Sequence, residues 1–262
     1  MSYTNLNWDF SKYRLQAPTQ LLAVADLWTP HAAQVAPLGA IYETRDGRRF
    51  RYCKADSTQI AKAVLVQAAV WDPQSVAKVQ TSYGVAAGVS RFDILMTTAN
   101  AISDSDLIDG VLLISDGGAA MGDMYMIKNN KWTTSDTVLN IEIADRGGLR
   151  NAIAATDDAS PFKNKYHSLI VKPTTLTAPI VGVTLTIVPA SYFFWGQTRG
   201  WAAILTDESD DIVVGEPVGH IDGTTAAGTV GLVSTHASDV VIGTCVYDSA
   251  VSEAAIIDLH LE

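Results

Sequence analysis

The residues able to do chemistry are few, and their spacing is loose. Five histidines, His31, His167, His220, His236 and His260, are scattered along the chain, and no H-E-x-x-H places two on one helix face. A hydrolytic nucleophile needs a Ser or Cys held against a base, and no G-x-S-x-G elbow is present. Ser234, His236 and Asp239 supply triad residue types, but nearness in sequence is not geometry, and the stretch reads as a surface loop. Two acidic turns offer oxygens to a cation, Ser103–Asp106 with Asp109 and Asp207–Asp211, yet neither follows the D-x-[DN]-x-[DN]-G loop of calcium sites. Asp and Ser serve as turn formers there, bonding nearby backbone groups. Gly117, Gly118 and Gly122 lack the G-K-[ST] or G-x-G-x-x-G context of a phosphate loop. Cys53 and Cys245 form no C-x-x-C pair and sit in apolar, strand-like contexts, so they read as buried free thiols. The chain is therefore expected to be non-enzymatic and to need no metal or organic cofactor.

The aromatic residues offer a different chemistry. Trp195 and Trp201 present ring faces on which a sugar could stack. Their apolar, strand-like surroundings place both in the core instead, together with Phe50, Tyr52 and Phe194. The segment reads as two strands, Tyr192–Gln197 and Trp201–Thr206, separated at Arg199-Gly200, with a further strand at 212–214. Alternation puts Tyr192, Phe194 and Gly196 on one side and Phe193, Trp195 and Gln197 on the other. Aromatics on both sides imply a strand covered on both faces.

The elements that position these residues are short and extended. Ala40–Thr44 and Arg49–Cys53 flank Asp46-Gly47, a hairpin signal. Phe50 and Tyr52 give its second strand an aromatic face, and Arg49 and Arg51 a basic one. Further strands are expected at 64–68, 92–97, 110–114, 124–128, 138–143, 167–171, 180–188, 230–234, 240–246 and 255–261, with a turn at Asn129-Asn130. Helical periodicity is confined to 19–28 and 149–155. The predicted fold is mainly β, a barrel- or sandwich-like body of short antiparallel strands spanning 39–262, which could divide into two packed β subdomains. Residues 1–38 form an extended N-terminal arm with spaced anchors, Trp8, Phe10, Tyr13 and Leu15, expected to pack on the body or on a neighbouring subunit.

Composition narrows the functional classes. The chain has 262 residues, 48% hydrophobic and 18% charged, enough for a folded protein with a sizeable core. A net charge of −10 opposes nucleic-acid binding, which relies on Lys and Arg at phosphates. No apolar run approaches the length needed to span a bilayer, and Met1–Phe10 lacks the pattern of a signal peptide, so no membrane partner is expected and synthesis is placed in a cytoplasm. Residues 201–262 contain no Lys or Arg, whereas Arg45, Arg48, Arg49, Arg51 and Lys54 cluster early, a split that would suit head-to-tail pairing of subunits.

Four groups of residues together resemble virion proteins of tailed double-stranded DNA phages. They are Gly39–Ala55 with Leu65–Ala69; Gly110–Gly117 with Gly122–Lys128; Ile180–Thr184 with Tyr192–Gly200; and Gly215–Val218 with Ile242–Thr244 and Ile257–Leu259. The end of the chain is similar to head-decoration, or cement, proteins. That resemblance implies a homotrimer on the outer capsid surface that clamps the major capsid protein and stabilises the shell. Trp8, Phe10, Tyr13, Leu15, Arg45, Arg48 and Arg49 are then the expected capsid or subunit contacts. Other roles considered are a tail- or fibre-associated receptor-binding module and a minor capsid or connector component.

Overall fold

The computed structural model describes residues 27–70, 84–96, 102–116, 118–132, 138–207, 212–221, 226–233, 239–248 and 253–262. Among these the chain is mainly β, and antiparallel sheets form a curled, half-barrel, sandwich-like body. The anchors Trp8, Phe10, Tyr13 and Leu15, and most of the helical stretch at 19–28, lie outside the described residues.

The first sheet has ten strands. Its members are β1 (Ile41–Glu43), β2 (Arg49–Lys54), β3 (Leu65–Gln67), β9 (Ile170–Val171), β10 (Ile180–Thr184), β11 (Phe193–Leu205), β12 (Pro217–His220), β13 (Gly231–Leu232), β14 (Val240–Tyr247) and β15 (Ala254–His260). The main path runs β13-β12-β14-β15-β11-β10-β3-β9, and the β1–β2 hairpin joins it through β11. The second sheet has five strands, β4 (Arg91–Leu95), β5 (Val111–Ile114), β6 (Met124–Trp132), β7 (Val138–Ile143) and β8 (Ala159–Phe162), in the order β4-β7-β6-β5-β8. Because β3 and β9 are paired neighbours, the whole second sheet is threaded between two adjacent strands of the first. It has its own core, with Ile94, Leu112, Ile114, Ile127, Leu139 and Ile141 fully buried.

The alternating faces of β7 follow the sequence pattern, with Leu139, Ile141 and Ile143 inward. Elsewhere long-range contacts override local signals. Asn129-Asn130 is not a turn but lies within β6. The buried Asn130 amide accepts from the Leu107 N–H and donates to the Ser103 carbonyl, tying a distant loop to the strand. Residues 149–155 are not helical, because their backbone pairs with 85–89 through Leu149 N to Val89 O and Ile153 N to Val85 O. The expected strand at 212–214 is not formed; the chain turns there instead, with Glu216 N bonded to Val213 O across Gly215 at φ +89°. Two strands carry prolines that weaken their sequence signal: β8, at the sheet edge, holds Pro161, and β12 starts on Pro217.

Residues 27–38 lie on the body. His31 makes a two-way backbone bridge to Phe193, and the Val35 N–H donates to the Tyr52 hydroxyl at 3.1 Å. Beneath them an aromatic cluster fills the core. Tyr52 stacks on Phe193 with ring centres 5.8 Å apart and tilts against Trp195 at 5.1 Å. Phe50, Tyr52, Phe194 and Trp195 are buried, as expected from sequence. Cys53 and Cys245 are buried free thiols, and burial pushes Cys53 up to about 12, which leaves it unreactive.

Candidate functional site

β11 is one strand of thirteen residues, not two strands broken at Arg199-Gly200. Its first half pairs with β2 (Trp195 opposite Tyr52, Gln197 opposite Phe50), and its second half pairs with β15 (Trp201 opposite Asp258, Arg199 opposite His260). Between the halves sits a bulge. Gln197 and Arg199 are two residues apart on β11 but face consecutive residues on β2, so Thr198 is the extra one. A one-residue bulge reverses which side chains point to which face. Val183 lies opposite Gln197 and shares a core with Ala202 and Ile204, so after the bulge the even-numbered residues point to Gln197's side. Arg199, Trp201 and Ala203 are thereby turned outward.

This corrects the expectation for Trp201. Its indole stands 61% exposed, whereas Trp195 is 3% exposed. Without the bulge, six residues of strict alternation would have left the two rings on one face.

The buried Gln197 amide holds the bulge in shape. Its Nε2 donates to the carbonyls of Arg199 at 3.0 Å, Gly200 at 3.3 Å and Trp201 at 2.9 Å. Thr198 is bonded too, its hydroxyl to Arg49 O at 3.3 Å and its carbonyl to the Leu261 N–H at 3.2 Å. Gly200 has φ +78°, and a β-carbon there would come within 3.1–3.2 Å of Arg48. A glycine at this position lets the hairpin turn lean against the sheet.

Where turn and sheet meet, an open cleft of about 660 Å³ is formed. Its floor is the outward face of β11 and β15, with Arg199 beside His260 and Trp201 beside Asp258. Its wall is Asp46-Gly47-Arg48. Thr44 donates to the Asp46 carboxyl, and Arg48 Nε pairs with it at 2.8 Å; these bonds, the Thr44 one foremost, hold Asp46 below the usual carboxylate range. His260 Nε2 lies 3.6 Å from Asp258. Arg199 has no ion pair among the described residues. Sequence reasoning named Trp201 as a possible sugar platform but not its neighbours, because the register that gathers them depends on the bulge.

The basic cluster is largely engaged inside the chain. Arg48 pairs with Asp46, and Arg49 with Glu43 and Glu262. Arg51 grips Glu262 with two bonds of 2.7 and 2.8 Å, and the Tyr166 hydroxyl adds a third at 3.1 Å. Burial pushes Glu262 up, but the bonds from Arg51, Tyr166 and Arg49 outweigh it and hold the carboxyl below its usual range. Within the chain, Glu262 is thus the residue of the acidic 201–262 half that meets this cluster. Arg45 remains exposed.

Other ionisable groups serve the body. Burial, with Lys54 and Lys163 nearby, pushes His167 down to about 4. Lys172 is fully buried, 3.1 Å from His220 Nδ1, and burial lowers it to about 8 against the pull of Asp207. The acidic loop at 103–106 is already bonded: Asp104 accepts from Trp132 N, and Asp106 pairs with Lys163 at 3.1 Å. Among the described residues no three His, Cys, Asp or Glu side chains are grouped to hold a metal. Ser234 and His236 lie outside the described residues.

The second exposed feature is apolar. On the outward face of the five-stranded sheet, Met126 lies opposite Val111 and Met124 opposite Leu113. Met124 and Met126 are 64% and 53% exposed, while Tyr125 and Ile127 between and beside them are buried. Charged residues border the patch, with Lys128 and Arg91 both bonded to Glu142. Comparison of the chain with protein-family models, with curated proteins and with solved structures gave no match.

Proposed function

We propose that this chain is a non-enzymatic head-decoration protein of a tailed double-stranded DNA phage. It would be made in the host cytoplasm and carried on the outer capsid surface as a homotrimer bound to the major capsid protein. The observation that carries the reading is the methionine face. Met124 and Met126 beside Val111 and Leu113, with a charged border, make an apolar patch of the kind that marks a protein contact. Methionine suits a surface that must fit a curved partner, since its side chain is flexible and polarisable. The stretches that resemble virion proteins also fall on the framework of both sheets, on β1–β2, β5–β6, β10–β11 and β14–β15.

The physical logic is mass action. A protein that binds only the assembled shell stabilises that shell, and many copies bridging shell subunits gain avidity without tight single contacts. A net charge of −10 limits adhesion to DNA and to anionic surfaces. The test is attachment to particles lacking the protein. Met124→Glu with Met126→Glu should leave the chain folded and abolish binding to expanded capsids. Undiminished binding would remove this face as the contact, and a virion copy number of tens, not hundreds, would point to the tail. A tail- or fibre-associated receptor-binding module is the second reading, favoured by Trp201 standing in water.

A further inference from the structure

The cleft beside Trp201 has the makings of a binding site independent of the methionine face. We infer that it binds a saccharide, with one pyranose ring laid on the Trp201 indole and its hydroxyls held by the polar side chains around it.

Four observations carry this. First, the indole is a large flat apolar surface held in water by the backbone: the Thr198 bulge turns it outward, and Gln197 fixes the carbonyls of residues 199–201. Such a ring matches the C–H face of a pyranose, which is apolar on its flat side and polar at its edge. Second, Asp258 lies directly across from Trp201, and His260 across from Arg199. Acceptor and donor groups therefore flank the ring at sheet spacing, roughly 5 Å apart, close to the spacing of substituents around a sugar. Third, the Asp46–Arg48 turn closes one side, so a ligand is held from below and from the side. The cleft volume of about 660 Å³ would take two or three sugar rings.

Fourth, charge selects among flat ligands. In the lining, Asp46 and Asp258 balance Arg48 and Arg199. The chain after Arg199 is acidic and has no Lys or Arg, and on the adjoining hairpin Arg48, Arg49 and Arg51 are already paired with Asp46, Glu43 and Glu262. A nucleic-acid strand stacked on Trp201 would bring phosphates into that field without the basic groove they need. An uncharged glycan brings hydroxyls that both carboxylates and guanidinium groups can bond. The inference stands whether the chain sits on a capsid or a tail, so its failure would leave the decoration reading untouched.

The test uses the full chain. It is applied to an array of bacterial surface polysaccharides that includes neutral β1,4- and α1,4-linked hexamers of glucose and N-acetylglucosamine. Bound glycans are then titrated by tryptophan fluorescence. At least one neutral glycan should bind and shift the emission. Trp201→Ala should weaken it about tenfold or more with an unchanged unfolding midpoint. Trp201→Phe should retain most of the affinity, and Asp258→Asn should weaken it less than Trp201→Ala. The inference is overturned if no glycan is retained, or if only polyanionic glycans are retained and salt removes them. It is equally overturned if Trp201→Ala binds like the parent chain, including the case where that variant changes only the sedimentation of the protein.

Discussion

Trp195 and Trp201 lie on the same strand, and their surroundings are opposite. The first half of β11, Phe193–Thr198, is buried on both faces, with the Tyr52 cluster on one side and Cys53, Val66 and Val181 around Phe194 on the other. The second half, Arg199–Leu205, buries Ala202 and Ile204 and leaves Arg199, Trp201 and Ala203 to solvent. One strand thus does two jobs, and a single extra residue divides them. Residue type alone therefore does not tell whether an aromatic in a strand is core or surface; the count of residues across a bulge does.

The strongest way to break the comparison is to remove the bulge. Deleting Thr198 would either return Trp201, Arg199 and Ala203 to the core side in place of Ala202 and Ile204, or dislodge Phe193 and Trp195. The expected outcome is loss of cooperative unfolding and insoluble expression, because a one-residue slip inverts every side chain beyond it.

Next in size is Trp195→Ala. It should cost about 3–5 kcal/mol by urea denaturation, since a large ring is removed from a packed core. Trp195→Phe should cost about 1.5 kcal/mol or less. The indole N–H has no hydrogen-bond partner among the described residues, so no bond is lost with it. Gln197→Leu should then cost about 1–3 kcal/mol, because three carbonyls lose their shared donor. It should also weaken any ligand of the Trp201 cleft, which would show that the two halves communicate through the bulge.

Glu262→Gln is the smallest of the stability changes, about 1 kcal/mol at neutral pH, since the pair is partly exposed. Its pH dependence is specific. Glu262 in the folded chain sits below its unfolded value of about 4.3. Its contribution is therefore complete above that value and is lost as pH falls through the folded one. Urea midpoints of parent and variant should differ at pH 7 and converge as the pH falls through the folded value. A gap that persists in acid would mean that packing, not charge, is what the residue supplies.

The sequence pattern made much of this architecture legible. The strict alternation at Val138–Ile143 matched β7 residue for residue; Phe194 and Trp195 were recognisable as core because aromatics on both faces of a strand demand cover on both, and Phe50 and Tyr52 because they form the aromatic face of theirs. What stayed hidden depends on partners distant in sequence. Arg199-Gly200 looks like a turn, since a glycine at φ +78° usually ends a strand, yet the Gln197 amide keeps the chain extended through it. Asn129-Asn130 looks like a turn until Ser103 and Leu107 occupy the Asn130 side chain. The cleft was invisible for the same reason. Asp46, Arg199, Trp201 and Asp258 are spread over more than two hundred residues and meet only through strand register.

The most direct test of the divided strand is hydroxyl-radical footprinting of the intact protein, read by mass spectrometry at each tryptophan. Trp201 should oxidise many times faster than Trp195, in line with their 61% and 3% exposure. Equal rates, or a protected Trp201, would contradict the account and return Trp201 to a buried position.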